Sequence, residues 1–301
     1  MNRTRRSPAD ILGITLGVIV ILVVIGSVVG ITRGRMYQAG WSMPDLRGPW
    51  VDQQASAGGP LREEKDEEIA GDFTEIEVRS IAGAVDIAGT SAGGVNVHSV
   101  KTAPTARAAD NLHVEIRKEG ARLVVEEKHE PRFFIPAGSI SFQVTIPRGV
   151  KRIDAHSVSG SINVHDVLPG IDQDLSTISG SVSTSRAHNL GASSTSGGIQ
   201  FVSDGGALNA RTVSGSIDGE IDSLEKGGMA KLSSVSGSVT VRAFPALDAR
   251  ISLHSVSGRI SCDFPVTISE QKNNRLEGTI GAGAAQMDAG TISGSISVSR
   301  K

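Results

Sequence analysis

The chain of 301 residues contains little cysteine and few aromatic side chains. Its single cysteine, Cys262, cannot form an intramolecular disulfide or a multi-cysteine metal site. Tyr37, Trp41 and Trp50 are the only tyrosine and tryptophans, so every aromatic residue after Trp50 is a phenylalanine. The later part of the chain therefore lacks the large polar rings that often stack on sugars, and it has few rings of any kind to stack on bases.

The chain also lacks an excess of charge of either sign, because 30 basic residues face 32 acidic ones. It has no basic stripe for nucleic acid, no closely spaced histidine pair for a metal, and no GxSxG or P-loop motif. Serine is abundant, but a serine without a nearby base is a poor nucleophile. The sequence thus predicts a protein that is not an enzyme, with no catalytic residues, no metal, no cofactor and no nucleic-acid partner.

Only one long apolar run is present, the uncharged residues 11–31. A helix of this length would reach about 31 Å, which is enough to cross the core of a bilayer. Three arginines precede the run and two follow it, a modest bias that favours a cytoplasmic N-terminus. We therefore expect a cytoplasmic tail over 1–10 and an uncleaved signal anchor over 11–31. The expected location is the bacterial cytoplasmic membrane, crossed once, with the remainder extracytoplasmic.

The apolar run contains two GxxxG spacings, Gly13/Gly17 and Gly26/Gly30. Such spacings can bring membrane helices together, but these two lie on different faces of a helix. Homo-oligomerisation is left open by this pattern.

Residues 32–71 show no regular hydrophobic period and end in the charged segment REEKDEE. A segment of this composition cannot bury enough apolar surface to fold alone. We expect a flexible linker over 32–71 that tethers a folded domain, residues 72–301, to the membrane.

A Ser-Gly phrase, first seen as SVSGSINV, recurs at intervals of 16 to 22 residues from Ser157 onwards. An earlier full copy centres on Gly83, and a degenerate copy, RLEGTIG, centres on Gly278. We number each copy from its central glycine, taken as position 0. The other central glycines are Gly160, Gly180, Gly197, Gly215, Gly237, Gly258 and Gly294.

In most copies, apolar residues stand at positions −2 and +2, and hydroxyl residues stand at −3, −1 and +1; Glu277 at −1, and Gly198 and Arg259 at +1, are departures. This alternation is typical of a strand with one buried face. It predicts that positions −2 and +2 point inward and that the three hydroxyls point outward. A second apolar pair stands at −7 and −5, so we expect a corner between −5 and −2. The sequence does not decide whether glycine at position 0 avoids a clash with the opposite wall of the coil or permits a bend of the strand.

Each copy therefore reads as strand, corner, strand and return loop. One such unit cannot bury its apolar face, but stacked units can. The predicted fold is all-β, a β-solenoid or β-helix of repeated coils, preceded by one transmembrane helix. A hairpin turning at Lys118–Ala121 and a strand over Ile140–Ile146 are expected to cover the first end of the stack.

Residues 72–300 resemble the bacterial family named "putative adhesin", a domain of unknown function. The resemblance lies in FQVTIPRGVKRIDAHSVSGSINVHDV and in the recurring V-S-G-S-I-x-V. It implies a β-solenoid domain of the cell envelope, often paired with a membrane anchor, and it brings no catalytic residues with it.

The hydroxyl columns are the candidate interaction face. Hydroxyls also form good ladders across strands and keep an outer face hydrated, so the same columns are compatible with a purely structural role. The candidate residues are Ser159, Ser179, Thr212, Ser214, Ser216, Ser234, Ser236, Ser238, Ser255 and Ser257.

The sequence favours a non-enzymatic function in adhesion or protein interaction at the cell envelope, with an envelope protein or a glycan as the ligand. The alternative is a sensory or regulatory component of an envelope-stress system. The tail of 10 residues before the apolar run is too short for a cytoplasmic signalling domain, so a sensor would need a membrane partner.

Overall fold

The computed structural model describes residues 60–90, 93–129, 138–272 and 274–301. The expected tail, membrane helix and most of the expected linker, residues 1–59, lie outside these ranges. Among the described residues, none belongs to a helix long and apolar enough to cross a membrane.

The described residues form 22 strands and one short helix, which confirms the all-β prediction. The helix α1 covers Ala106–Ala109. The strands are β1 (Leu61–Ile69), β2 (Glu75–Ala82), β3 (Val85–Gly89), β4 (Val95–Ala103), β5 (Leu112–Glu119), β6 (Arg122–His129), β7 (Ser139–Ile146), β8 (Arg152–Ser159), β9 (Ile162–His165), β10 (Ile171–Ser179), β11 (Val182–Ser196), β12 (Ile199–Ser203), β13 (Leu208–Ser214), β14 (Ile217–Ile221), β15 (Met229–Ser236), β16 (Val239–Ala243), β17 (Ala249–Ser257), β18 (Ile260–Cys262), β19 (Thr267–Lys272), β20 (Arg275–Ile280), β21 (Ala285–Ser293) and β22 (Ile296–Arg300).

The strands stack as coils, each with one strand before and one strand after a central glycine. The first row runs β6, β2, β8, β10, the second half of β11, β13, β15, β21 and β17, all parallel. The second row runs β7, β3, β9, the first half of β11, β12, β14, β16, β22 and β18, also parallel. The described domain is therefore a solenoid-like stack of coils.

The order of coils in space departs from the order in the chain at both ends. The coil β2/β3 lies between β6/β7 and β8/β9. The last coil, β21/β22, lies between β15/β16 and β17/β18. Near each end of the stack, one coil is thus inserted between two coils that are its neighbours in space but are not both adjacent to it in the chain.

Antiparallel strands cover the ends of the stack. At the first end, β5 pairs with β6, β4 pairs with β7 and β1 pairs with β4, which confirms the predicted end hairpin and strand. At the other end, β20 runs antiparallel to β17 and β19 pairs with β20. The expectation that the copy at Gly278 forms a coil is wrong, since Gly278 lies inside β20.

β-branched residues at position +2 fill the core from one coil to the next. Each side chain lies in register on its neighbour, as Ile199 does on Ile217, and both are fully buried. Burying such a side chain contributes about 1.5–3 kcal/mol. At position +4 the large ring of Phe201 packs on a glycine of the next coil: a Cβ on Gly219 would lie 2.0 Å from that ring. The core is therefore packed by complementary sizes as well as by a common period.

The central glycines are required because backbones approach closely at the corner. A Cβ on Gly160 would lie 1.9 Å from the carbonyl oxygen of Gly83, and one on Gly215 would lie 2.2 Å from that of Gly197. No side chain fits at such distances. Glycine therefore avoids a clash, but this clash is with the glycine of the neighbouring coil and not, as expected from the sequence, with the opposite wall.

The predicted inward and outward positions before the glycine are reversed. Position −3 is buried: Thr212 is 4% exposed, Ser234 5% and Ser255 2%. Position −2 is at the surface, where Val158 is 47% exposed and Ile178 41%. The side chains at −7, −5 and −3 therefore all point inward, and the alternation of inward and outward side chains shifts by one residue between −3 and the glycine.

The predicted flexible linker is wrong at its end, because its charged segment forms strand β1. Residues Leu61–Ile69 pair antiparallel with β4 along their whole length. β1 is an edge strand and most of its side chains are exposed. Charged residues on such an edge discourage pairing with further strands.

Candidate functional site

The hydroxyl column at position −3 is occupied by the fold itself. Thr212 Oγ1 donates to the carbonyl oxygen of Gly197 at 2.9 Å, and Ser234 Oγ donates to that of Gly215 at 2.9 Å. The same bond recurs from Thr177, Ser194, Ser255 and Thr291. These buried hydroxyls satisfy glycine carbonyl oxygens at the corners, so they are not available to a ligand.

The column at position +1 also has structural partners. Ser216 Oγ accepts from the backbone N–H of Ser238 at 3.3 Å, and Ser238 Oγ accepts from that of Ser295 at 3.4 Å. At Ser161, Oγ accepts from the N–H of Ser181 at 3.4 Å and lies 3.1 Å from its Oγ. These serines satisfy backbone groups just after the corner.

The column at position −1 is different, because its side chains are exposed and have no hydrogen-bond partner within the described ranges. The strand register places each serine beside the next along the stack. In spatial order the column consists of Ser159, Ser179, Ser196, Ser214, Ser236, Ser293 and Ser257. Hydroxyls that the fold does not use can donate to or accept from a partner.

An apolar ridge runs beside this serine column. It is formed by position −2, whose side chains are at least partly exposed although nearly all are β-branched and apolar. We call it the corner ridge, and in spatial order it consists of Ile81, Val158, Ile178, Thr195, Val213, Val235, Ile292 and Val256. We call the corner ridge and the position −1 serine column together the corner face. At about 4.8 Å per coil the ridge is roughly 34 Å long.

The structure separates the predicted interaction residues into three groups. Ser159, Ser179, Ser214, Ser236 and Ser257 share the corner face. Ser216 and Ser238 lie just past the corner, and Thr212, Ser234 and Ser255 are buried, so the prediction of an outward column is wrong for these three.

Sequence reasoning missed the corner ridge and the placement of Ser293 between Ser236 and Ser257. The ridge had a signal, since the period-two pattern at −7, −5 and −3 is unbroken if the hydroxyl at −3 is taken as inward. The place of Ser293 had none, because the chain order does not reveal that β21 is inserted.

One serine does lie beside a base, contrary to the expectation from sequence. His156 Nδ1 and Ser176 Oγ are 2.6 Å apart on the outer side of the first row. Hydrolysis through a serine also needs donors that stabilise the developing oxyanion. The backbone N–H groups of β8 and β10 do not serve as such donors, because both are interior strands with a parallel neighbour on each side. The pair also lies on a sheet surface rather than in a cleft.

Solved structures from several bacteria match this chain. A "putative cell adhesion protein" from Clostridium sporogenes is 10% identical, with 80% of this chain and 100% of that chain covered and a TM-score of 0.37. A "putative adhesin" from Bacteroides fragilis is 10% identical, covering 79% and 97%, with a TM-score of 0.41. A "putative lipid binding protein" from Parabacteroides distasonis is 12% identical, covering 80% and 97%, with a TM-score of 0.29.

No curated protein matches this chain. The family model of the Toastrack DUF4097 domain matches residues 137–299, which span the coils from β7 to β22 and more than half of the chain. The chain therefore belongs to the Toastrack DUF4097 family.

Proposed function

We propose that this protein is a membrane-anchored, non-enzymatic interaction protein of the bacterial cell envelope, and that its extracytoplasmic stack of coils binds a protein partner through the corner face. Adhesion is the form of interaction that a long, regular and repeated surface suits best. An envelope protein is the partner for which the corner face offers the right chemistry.

The observation that carries this proposal is the corner ridge beside serines that the fold does not use. Val256 is 67% exposed and Ile292 47%, although β-branched side chains are usually buried in strands. Aligned exposed apolar residues edged by polar groups are typical of protein interaction surfaces. In the described coils the positions next to the corner carry almost no charge; Arg259 is the exception from Val158 onwards.

Membrane anchoring is supported by the uncharged run over 11–31 and by the arginines before it. Protease added to the extracytoplasmic side should then cut between residues 32 and 60 and release the stack of coils. Release only by protease added from the cytoplasmic side would contradict the proposed orientation.

The absence of a catalytic role is proposed on the chemistry of the surface. Two of three hydroxyl columns hold the backbone together, and the third has no acid or base beside it along the corner face. Such a surface is suited to binding a partner and not to catalysing a reaction.

The corner face can be tested by photo-crosslinking of the full chain in cells. A photoreactive residue in place of Ser236 should give a discrete protein adduct, whereas one in place of Thr240, on the outer side of β16, should not. Changing Ile178, Val256 and Ile292 together to serine should abolish the Ser236 adduct and leave the fold intact, because all three are exposed.

The matched control changes Ser183, Gln200 and Thr240, which stand at position +3 on the outer side of the second row. Both comparisons use a chain that carries the photoreactive residue in place of Ser179. Changing the three control residues to lysine should not affect its adduct, whereas changing Ser214, Ser236 and Ser257 to lysine should abolish it. Equal adducts from both lysine variants, or no adduct from a chain whose only change is the photoreactive residue, would reject the corner face as the interaction surface.

A further inference from the structure

A shallow groove lies on the outer side of the first row, on a different side of the coil from the corner face. Its cavity volume is about 470 Å³, and it crosses β10, β11, β13 and β15. Most of its lining residues are polar or charged, but the surface that they present to the groove is mainly apolar, with Met229, 46% exposed, at one end. The corner face uses none of these residues.

The floor of the groove is low because a glycine stands among larger residues. Gly191 lies between Asp174 on β10 and Asn209 on β13 in the strand register. The atoms nearest to a Cβ at Gly191 would be Asp174 Oδ1, at 3.2 Å, and the backbone oxygen of Gln173, at 3.9 Å. A glycine on a strand's outer face often marks a place where another molecule approaches closely.

Two cations occupy one end of the groove without an acidic partner. Arg211 and Lys231 stand on the adjacent strands β13 and β15, two register positions apart, and both are exposed. Within 60–90, 93–129, 138–272 and 274–301, no ion pair involves either residue, although Asp288 is the register neighbour of Lys231. Neighbouring cations without an ion-pair partner, at the edge of a depression, are suited to an anionic group.

The Arg211 side chain is already oriented. Its Nε donates to Asn209 Oδ1 at 3.0 Å, which leaves the terminal nitrogen atoms of the guanidinium to point elsewhere. A guanidinium held by one hydrogen bond loses less freedom when its remaining donors bind a carboxylate. A two-pronged interaction with a carboxylate is the strongest contact that this side chain can make.

The other end of the groove carries acids and amides. Asn189 Nδ2 donates to Asp172 Oδ1 at 2.8 Å, and Asn189 Oδ1 accepts from the backbone N–H of Ala207 at 2.8 Å. Among the described residues, the ion pair of Asp174 is with Arg152, at 4.0 Å. Carboxylate and amide groups held on a rigid sheet can bind the hydroxyls of a sugar, and their negative charge disfavours an anionic group at this end of the groove.

We propose that this groove binds an acidic polysaccharide in which carboxylated and uncharged sugars alternate, with Arg211 and Lys231 holding a carboxylate and with Asp172, Asp174 and Asn209 holding hydroxyls of the neighbouring uncharged sugar. The open ends of the groove suit a chain rather than a single small molecule, and the glycine floor admits a sugar ring without an aromatic platform. This inference does not depend on the corner face, because it uses different residues and a different side of the coil.

The test is calorimetric titration of the full chain in detergent with a hyaluronan oligosaccharide, in which a carboxylated sugar alternates with an uncharged one. This oligosaccharide should bind, and a neutral malto-oligosaccharide of equal length should not. The double variant Arg211→Ala with Lys231→Ala should weaken binding about tenfold or more, since hydrogen bonds to charged groups are lost. Gly191→Thr, which keeps every charge but fills the floor, should weaken it as well.

The matched control is Arg107→Ala with Lys272→Ala, which removes the same charge from exposed residues outside the groove; it should bind as the wild type does. Equal binding of polyglutamate would show that only charge is recognised and would overturn the assignment to a polysaccharide. Absence of binding, or a wild-type affinity in both groove variants, would overturn the site altogether.

Discussion

Thr212 on β13 donates a hydrogen bond of 2.9 Å to the carbonyl oxygen of Gly197, which stands at the corner of the preceding coil. The two residues belong to the two most regular columns of the repeat. The glycine brings the backbones together, and the hydroxyl satisfies the carbonyl oxygen that this approach buries. Most copies therefore need both residue types: the hydroxyl at −3 donates to the glycine of one neighbouring coil, and the copy's own glycine accepts from the hydroxyl of another.

Removing one buried hydroxyl should destabilise the stack. Ser234→Ala leaves the carbonyl oxygen of Gly215 without its 2.9 Å donor, which should lower the free energy of unfolding by about 1–2 kcal/mol. Ser236→Ala, two residues on, removes an exposed hydroxyl without a partner and should change it by less than about 0.5 kcal/mol. Urea unfolding of the two variants measures the difference, and equal effects would contradict the burial of position −3.

A side chain at a central glycine should be far more costly. Gly160→Ala places a Cβ at 1.9 Å from the carbonyl oxygen of Gly83, and backbone on both sides must move, at a cost of about 3 kcal/mol or more. Gly149→Ala is the control, because its nearest contact is 3.8 Å, an ordinary van der Waals distance. Thermal unfolding should separate the two, and a Gly160→Ala protein as stable as the control would refute the close approach.

The coil itself could be predicted from the sequence because its causes are local. Alternation of apolar residues after the glycine fixes which face of the second strand is buried, as the burial of Ile162, Ile217 and Ile296 shows. The β5–β6 hairpin was also predictable, since both strands and their turn are contiguous in the chain.

The corner could not be read correctly because two opposing preferences meet there. Valine or isoleucine at −2 is usually buried and serine at −3 is usually exposed, yet the glycine carbonyl oxygen needs the hydroxyl inside. That need arises between coils, and its one trace within a copy is that period two is unbroken over −7, −5 and −3 if the hydroxyl points inward. The insertion of β21 between β15 and β17 is hidden for the same reason, because every coil offers its neighbours nearly the same register.

The pKa of His165 should fall when its main partner loses its charge. His165 Nδ1 lies 2.7 Å from Asp166 Oδ2 and Nε2 lies 2.8 Å from Asp86 Oδ1, and the hydrogen bond to Asp166 is the chief cause of its raised pKa. Asp166 has φ of 55°, a conformation that asparagine tolerates. Asp166→Asn should therefore keep the geometry and lower the pKa, which a histidine NMR titration measures.

The sign of the effect on stability follows from the direction of the shift. A raised pKa means that the folded state holds the proton more tightly, so this interaction stabilises the fold below the unfolded histidine pKa, about 6.5. The contribution is lost as the pH rises through the folded pKa of His165.

The pKa of His254 is shifted the other way. Burial lowers this pKa, so His254 disfavours the folded state as the pH falls below its unfolded pKa. His165→Gln should weaken acid-side stability, whereas His254→Gln should not; the reverse result would contradict both assignments.

Cys262 should react slowly with thiol reagents in the folded protein. The side chain is partly buried on the edge strand β18, and burial raises the pKa of its thiol. Only the thiolate is the nucleophile, so the reactive fraction is small at neutral pH. Labelling in native buffer should be clearly slower than in urea, and equal rates would show that Cys262 is open to solvent.

The insertion of the last coil should make the end of the stack dependent on residues 285–301. Strand β21 pairs with β15 on one side and with β17 on the other, and β22 likewise joins β16 to β18. A chain that ends at Gly283 should therefore leave residues 244–283 without a parallel neighbour, because only the antiparallel pairing of β17, β20 and β19 remains. Such a small sheet is marginal alone, so hydrogen exchange in this segment should become rapid.

A chain that ends at Ala243 is the control, since residues 60–243 should show the same protection in both truncated chains. If β17 instead moved onto β15 and paired with it directly, residues 249–257 would stay protected in the longer truncated chain. That outcome would show that the coils are interchangeable neighbours and that the observed order is not needed to hold this end together.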